Sequence, residues 1–215
     1  MKKIAVSLML LLSTTWLACA AWADDSPVSL VTATSEQVRS ALMKENGSNT
    51  HVVREEVEQL LNPRFDYTRM TALAVGKNWK QATDAQKNAL TTEFHTLLAN
   101  TYFSTMLRYR DAKISIKPDV LLENEGKQAT VKSQVAVANA QAPVSIDYVL
   151  YNTPEGWKVF NVSVEGASLV TVYRNQFGDE VSKGGIDGLI QSLHNKNIAP
   201  APQSADVQPA SSKKT

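Results

Sequence analysis

The sequence has a single cysteine, Cys19, and this scarcity excludes several kinds of chemistry. One cysteine cannot build an intramolecular disulfide framework. The three histidines, His51, His95 and His194, are far apart and show neither H-x-x-H nor H-E-x-x-H spacing. Because metal sites near helices depend on such spacing, we predict no metal ion and no cofactor for this chain.

The motifs of common enzyme classes are also missing. No glycine-rich phosphate loop and no dinucleotide-binding fingerprint occurs. Residues Gly166-Ala167-Ser168 match the start of a nucleophile elbow, but Val170 stands where that motif needs its second glycine. The sequence therefore favours a protein that is not an enzyme.

An excess of charge of either sign is lacking as well. The chain has 22 basic and 21 acidic residues and a formal net charge of +1. Loss of residues 1–23 would remove two lysines and no acid, which leaves a charge of −1. A nearly neutral chain has no long-range attraction for polyphosphates, so we expect no nucleic-acid partner.

Only one long apolar run occurs, and it lies at the N-terminus. Lys2 and Lys3 precede the run Ile4–Leu12, and small residues follow, ending in the A-x-A sequence of residues 21–23. This order is typical of a secretory signal peptide, and spanning a bilayer would need about 20 apolar residues. We predict that residues 1–23 are a cleaved signal peptide and that the protein is exported.

Cys19 leaves a second interpretation of the N-terminus open. A lipoprotein carries an acylated cysteine just after its apolar run, and the acyl chains then anchor the protein to a membrane. The residues before Cys19, Trp16-Leu17-Ala18, match the usual triplet poorly. We therefore favour cleavage after Ala23 without lipidation.

The apolar period changes along residues 24–197, which we predict to form a single α+β domain. A three- and four-residue period predicts helices near residues 28–43, 52–61, 83–109, 168–181 and 186–193. Alternating segments separated by turn residues predict about four antiparallel strands near residues 112–117, 129–138, 144–151 and 157–164. Residues 198–215 contain three prolines and no apolar period, so we expect a disordered tail.

Alternation within the strands predicts which residues share a face of the sheet. Val131, Val135 and Val137 lie on one face, as do Ile146, Tyr148 and Leu150, whereas Lys132, Gln134, Asp147 and Tyr151 lie on the other. We expect the apolar face to pack against the helices and the polar face to be partly wet. The space between this face and the helices could be a solid core or an enclosed cavity. Periodicity alone favours the solid core but does not exclude the cavity.

Two blocks of residues carry a more specific signal. The first contains Phe65-Asp66-Tyr67, Ala74-Val75-Gly76, Trp79 and Thr101-Tyr102. The second contains Ile146-Asp147-Tyr148, Gly156-Trp157-Lys158-Val159, Val164-Glu165-Gly166 and Gly185-Ile186-Asp187-Gly188-Leu189. Together they resemble the MlaC family of periplasmic phospholipid-binding proteins, also described as toluene-tolerance proteins. One departure is Asn161, where many members carry aspartate.

The resemblance implies a monomeric phospholipid carrier that maintains the lipid asymmetry of the outer membrane. Its partners would be an inner-membrane ABC transporter with a lipid-binding substrate component and an outer-membrane lipoprotein–porin complex. It also implies an apolar pocket between helices and sheet that holds phospholipid as cargo. The candidate lipid-binding residues are Leu73, Val75, Phe94, Leu98, Tyr102, Met106, Val135, Val137, Val144, Ile146, Tyr148, Val162, Val164, Ala167 and Leu169.

A function of a different class is also compatible with the sequence. The same α+β scaffold could serve an exported binding module outside the Mla system, or a hydrolase, that holds another apolar ligand. The motifs above favour the carrier.

The N-terminal prediction is tested by the intact mass of the exported protein. We expect a mature chain that starts at Asp24 and carries no acyl group, because the A-x-A site precedes that residue. A mass that corresponds to a diacylated chain starting at Cys19 would contradict this expectation and show that the protein is membrane-anchored.

Overall fold

The computed structural model describes residues 26–136 and 142–199. The helices are α1 (Pro27–Leu42), α2 (Thr50–Leu61), α3 (Tyr67–Val75), a 3-10 helix (Gly76–Gln81), α4 (Asp84–Arg108) and α5 (Leu169–Ile198). The strands are β1 (Lys113–Glu123), β2 (Gln128–Ala136), β3 (Val144–Thr153), β4 (Gly156–Val164) and β5 (Ala167–Ser168). The predicted signal peptide, Cys19, Val137 and nearly all of the predicted tail lie outside the described residues.

The predicted α+β class is confirmed. The strands form one antiparallel sheet in the order β1-β2-β3-β4-β5, so each strand pairs with its neighbour in the chain. The sheet has one strand more than predicted, because β5 adds two residues between β4 and α5. Tight turns between strands make this meander the simplest antiparallel topology.

Polar side chains fix where the helices begin. At the start of α4, the Thr83 hydroxyl accepts a bond from the Gln86 N–H at 3.2 Å, and Gln86 Oε1 accepts from the Thr83 N–H at 3.0 Å. This reciprocal pair is a capping box, so the predicted cap at Thr83 is confirmed. Helix α1 begins with Pro27 after the Ser26 side chain, which accepts from the Ser29 N–H.

One helix was missed and one predicted break is confirmed. Helix α3 was missed because it has only nine residues, and its cap is Asp66, whose Oδ1 accepts from the Arg69 N–H at 2.8 Å. The predicted break between two C-terminal helices lies inside α5, where Gly185 has non-helical φ and ψ angles. The φ of Gly185 is 66°, a left-handed conformation that glycine adopts without steric cost.

The sheet register confirms the predicted apolar face, which we call the inner face. Val131 of β2, Tyr148 of β3 and Val162 of β4 are direct cross-strand partners on it. Val31 of α1 packs against this face. The opposite face is partly wet, as expected, because Lys132 and Gln134 are exposed. Near Tyr151, however, helices also cover this face: a bulge in β4 turns Phe160 outward, and both residues pack against the helices.

The described core consists of three clusters. The largest joins α3, α4, α5 and the bulged part of β4, and includes Met70, Leu90, Phe94, Phe177 and Leu189. A second joins α1 to the inner face of the sheet. A third joins α1, α2 and α4. Helix α1 thus links the sheet to the helical part of the molecule.

The capping box gives a test of local stability. Replacing Thr83 with alanine removes the acceptor for the Gln86 N–H, so we expect a loss of about 1 kcal/mol in the free energy of unfolding. Urea denaturation followed by circular dichroism measures it. The matched control is Thr92→Ala in the middle of α4, where the exposed side chain caps nothing and the change should be neutral or slightly stabilising. Equal losses in both variants would contradict the cap.

Candidate functional site

Burial on the inner face changes along the strands. At one end, Ala129, Val131, Leu150, Trp157 and Val159 are at most 7% exposed and pack with α1. At the other end, apolar side chains are only half-buried although they lie on the same face. This second region, which we call the open end, consists of Val135, Val144, Ile146, Val164 and Ala167.

The strand register places the members of the open end side by side. Val135 pairs with Val144, Ile146 pairs with Val164, and Val164 pairs with Ala167. Leu169, the first residue of α5, follows β5 directly and is also half-buried. A contiguous group of accessible apolar side chains is typical of a binding surface rather than of a closed core.

Tyr148 lies where the buried end of the inner face meets the open end. Its ring packs against the cluster that α1 forms with the sheet. Its hydroxyl interacts with the hydroxyls of Ser133 on β2 and Ser35 on α1, and burial raises the pKa of Tyr148. Ser133 is 1% exposed and donates to the Ile146 carbonyl at 2.9 Å. Tyr148 is therefore neutral and joins the sheet to α1.

Sequence analysis missed this group of hydroxyls. Ser133 has the same strand phase as Val131 and Val135, and a polar residue on an apolar face was the available signal. Thr34, next to Ser35 on α1, is 8% exposed, and its Oγ1 has no hydrogen-bond partner among the described residues. Buried hydroxyls are costly unless bonded, so the buried Ser133 and Thr34 are exceptions to the apolar character of the core.

The predicted helical residues occupy a different environment. Phe94 is 1% exposed, and its ring centroid lies 4.9 Å from that of Tyr173 and 5.1 Å from that of Phe177, in edge-to-face contacts. Leu98 and Val75 are buried in the same cluster. The structure thus places these three side chains in a closed core rather than on an accessible surface.

The remaining predicted residues are half-buried at the borders of the clusters. Leu73 and Tyr102 pack against the large helical cluster, whereas Met106 packs against the cluster of α1, α2 and α4. Burial, together with the neighbouring Tyr173, raises the pKa of Tyr102. The structure does not unite all predicted residues in one contact group; the seven described members on β2 to β5 share the inner face.

A polar groove of about 490 Å³ lies on the opposite side of β3. The Tyr151 hydroxyl donates to Asp66 Oδ2, and the Arg69 guanidinium lies 4.1 Å from the centre of the Tyr151 ring. His95 lines the groove, and burial lowers the pKa of its imidazole. The contacts of Tyr151 with Asp66 and Arg69 join the start of α3 to the sheet.

Two further chemical possibilities were searched within the described part of the chain. No three His, Cys, Asp or Glu side chains there are grouped closely enough to hold a metal ion. None of the helices at residues 26–136 and 142–199 is long and apolar enough to cross a membrane.

Comparison with known proteins gives consistent matches. A sequence model of the MlaC protein family matches residues 30–195. Toluene tolerance protein ttg2D of Pseudomonas putida is 28% identical over 165 residues, which are 75% of this chain and 75% of that protein. A phospholipid-binding protein from Ralstonia solanacearum, solved in complex with a phospholipid, is 32% identical. Its match covers 79% of this chain and 95% of that one, with a TM-score of 0.71.

The contrast between closed core and open end predicts different costs of truncation. Phe94→Ala leaves a cavity in a packed cluster and should lower the free energy of unfolding by about 3–5 kcal/mol. Ile146→Ala removes a side chain that is only half-buried and should cost about 1–2 kcal/mol. Chemical denaturation of both variants measures the difference, and equal costs would show that the open end is ordinary core.

Proposed function

Because the chain belongs to the MlaC family, we propose that it binds a phospholipid with the acyl chains against the open end of the sheet. The observation that carries the proposal is the group of half-buried apolar side chains centred on Ile146. The relative from Ralstonia solanacearum, whose structure contains a phospholipid, shares the fold over most of this chain and supports the same cargo.

The proposed lining comes from the sheet. It consists of the inner-face residues Val135, Val144, Ile146, Tyr148, Val162, Val164 and Ala167, with Leu169 at its border. The predicted helical residues Leu73, Val75, Phe94, Leu98 and Tyr102 belong to the cluster on the opposite face of the sheet, and Met106 packs with α1, α2 and α4, so their contact with lipid stays a prediction. All of these side chains are apolar or carry a neutral hydroxyl, as acyl chains require.

Physical chemistry explains why a carrier needs such a lining. Burial of each methylene contributes about 0.8 kcal/mol, so two acyl chains in water would cost on the order of 20 kcal/mol. An apolar lining offsets this cost, and one that roughly matches a bilayer allows transfer in either direction. The headgroup stays in water at the open end and needs no charged clamp.

We propose further that the protein works in the periplasm as a monomeric, non-enzymatic shuttle. The predicted signal peptide supports export, and the missing catalytic motifs support a role in which no covalent bond changes. The inner-membrane ABC transporter with its lipid-binding component and the outer-membrane lipoprotein–porin complex are the proposed partners. Their difference in affinity for lipid would set the direction of transfer and maintain outer-membrane asymmetry.

The test is the lipid content of protein purified from cells, measured by organic extraction and mass spectrometry. Wild type should carry phospholipid, and Ile146→Asp should remain folded but lose most of it, because a carboxylate is strongly disfavoured beside acyl chains. The matched control is Leu121→Asp, which places the same charge on an exposed residue of β1. This control should keep its lipid.

Several outcomes would contradict the proposal. A folded Ile146→Asp variant with a full complement of phospholipid would remove the open end from the binding site. Extraction of a different apolar ligand would favour a binding module outside the Mla system, and release of fatty acid from added phospholipid would favour a hydrolase.

Leu98→Asp tests the large helical cluster. The Leu98 side chain is 8% exposed, so this variant should unfold rather than merely lose lipid.

A further inference from the structure

Along the inner face, the burial of the cross-strand partners changes at Tyr148. The row of Ala129 and Leu150 is fully buried, and so is Val131, the direct partner of Tyr148. One step further along the sheet, Ile146 and its partner Val164 are half-buried. Tyr148 therefore stands at the inner limit of the accessible apolar surface.

Packing holds the Tyr148 ring in this position. The ring packs against the cluster that Val31 of α1 forms with the inner face. On the sheet, Tyr148 lies between its direct partners Val131 and Val162. A ring that contacts both the sheet and a helix spans the space between them and cannot turn away without losing this packing.

We propose that Tyr148 is the end wall of the proposed acyl-binding region at the open end, which we call the acyl chamber, and that it sets the length of the acyl chains that the protein accepts. This inference rests on the proposed phospholipid function and adds a determinant of cargo selection to it.

Selection by length follows from the free energy of transfer. A lipid that moves from a bilayer into the protein avoids the cost of exposure to water only for those methylenes that the protein also buries. Each methylene beyond the wall stays in water or strains the chain, which disfavours the longer lipid by about fourfold per methylene. A fixed wall therefore produces a sharp decline in binding beyond one chain length.

Competition between lipids of different length tests the wall. Delipidated full-length mature protein is incubated with vesicles that contain equal amounts of dimyristoyl-, dipalmitoyl- and distearoyl-phosphatidylglycerol, and native mass spectrometry counts each bound species. In Tyr148→Ala, the ratio of distearoyl to dimyristoyl lipid should rise by at least about fourfold over wild type. In Tyr148→Trp, a larger ring should shift the ratio toward dimyristoyl lipid.

The matched control is Tyr151→Ala. Tyr151 lies on the same strand and is half-buried, but its side chain points to the opposite face and bonds to Asp66. This variant should keep the wild-type ratio. If folded, lipid-loaded Tyr148→Ala has the same ratio of distearoyl to dimyristoyl lipid as wild type, the end wall is overturned.

Failure of this inference is distinguishable from failure of the proposed function. Wild type that binds none of the three lipids would refute phospholipid binding and the end wall with it. Wild type that binds lipid, with Tyr148 variants that show an unchanged ratio, would refute only the end wall. If Tyr148→Ala does not fold, Tyr148→Trp decides, because a shift toward the shorter lipid supports the wall and an unchanged ratio overturns it.

Discussion

The inner face of the sheet presents more apolar surface than helix α1 covers, and the other features of the site depend on this mismatch. Val31 of α1 packs on the end that contains Leu150 and Trp157, where side chains are buried as in an ordinary core. At Ile146 and Val144 the same face stays half-buried. Apolar surface of this kind is unfavourable in water, so it lowers the free energy of any apolar ligand that covers it.

The protein tolerates this uncovered surface because its stability comes from elsewhere. The bulge in β4 places Phe160 on the outer face, where it packs with Met70, Phe94 and Phe177 between three helices. Edge-to-face contacts around Phe94 add to the area that this cluster buries. The largest packed cluster thus lies on one side of the sheet and the accessible apolar surface on the other.

Sequence patterns were sufficient for the parts of the fold that have a clear period or a local cap. The long stripe of α4, its cap at Thr83 and the alternation of β2 and β3 each depend on near neighbours in the chain. The bulge at Phe160, helix α3 and strand β5 depend on contacts between distant residues or on very few residues. Periodicity carries no information about such contacts.

The same distinction applies to the candidate site. Alternation predicted which strand residues share the inner face, yet an apolar residue such as Phe94 has the same pattern whether it contacts a ligand or another ring. Only the structure separates them, because burial differs between the helical cluster and the open end. The division also matters for the proposed function: release of a bound lipid would expose side chains near Ile146 but leave the cluster around Phe94 intact. A protein that must be stable both loaded and empty requires this separation of binding surface from core.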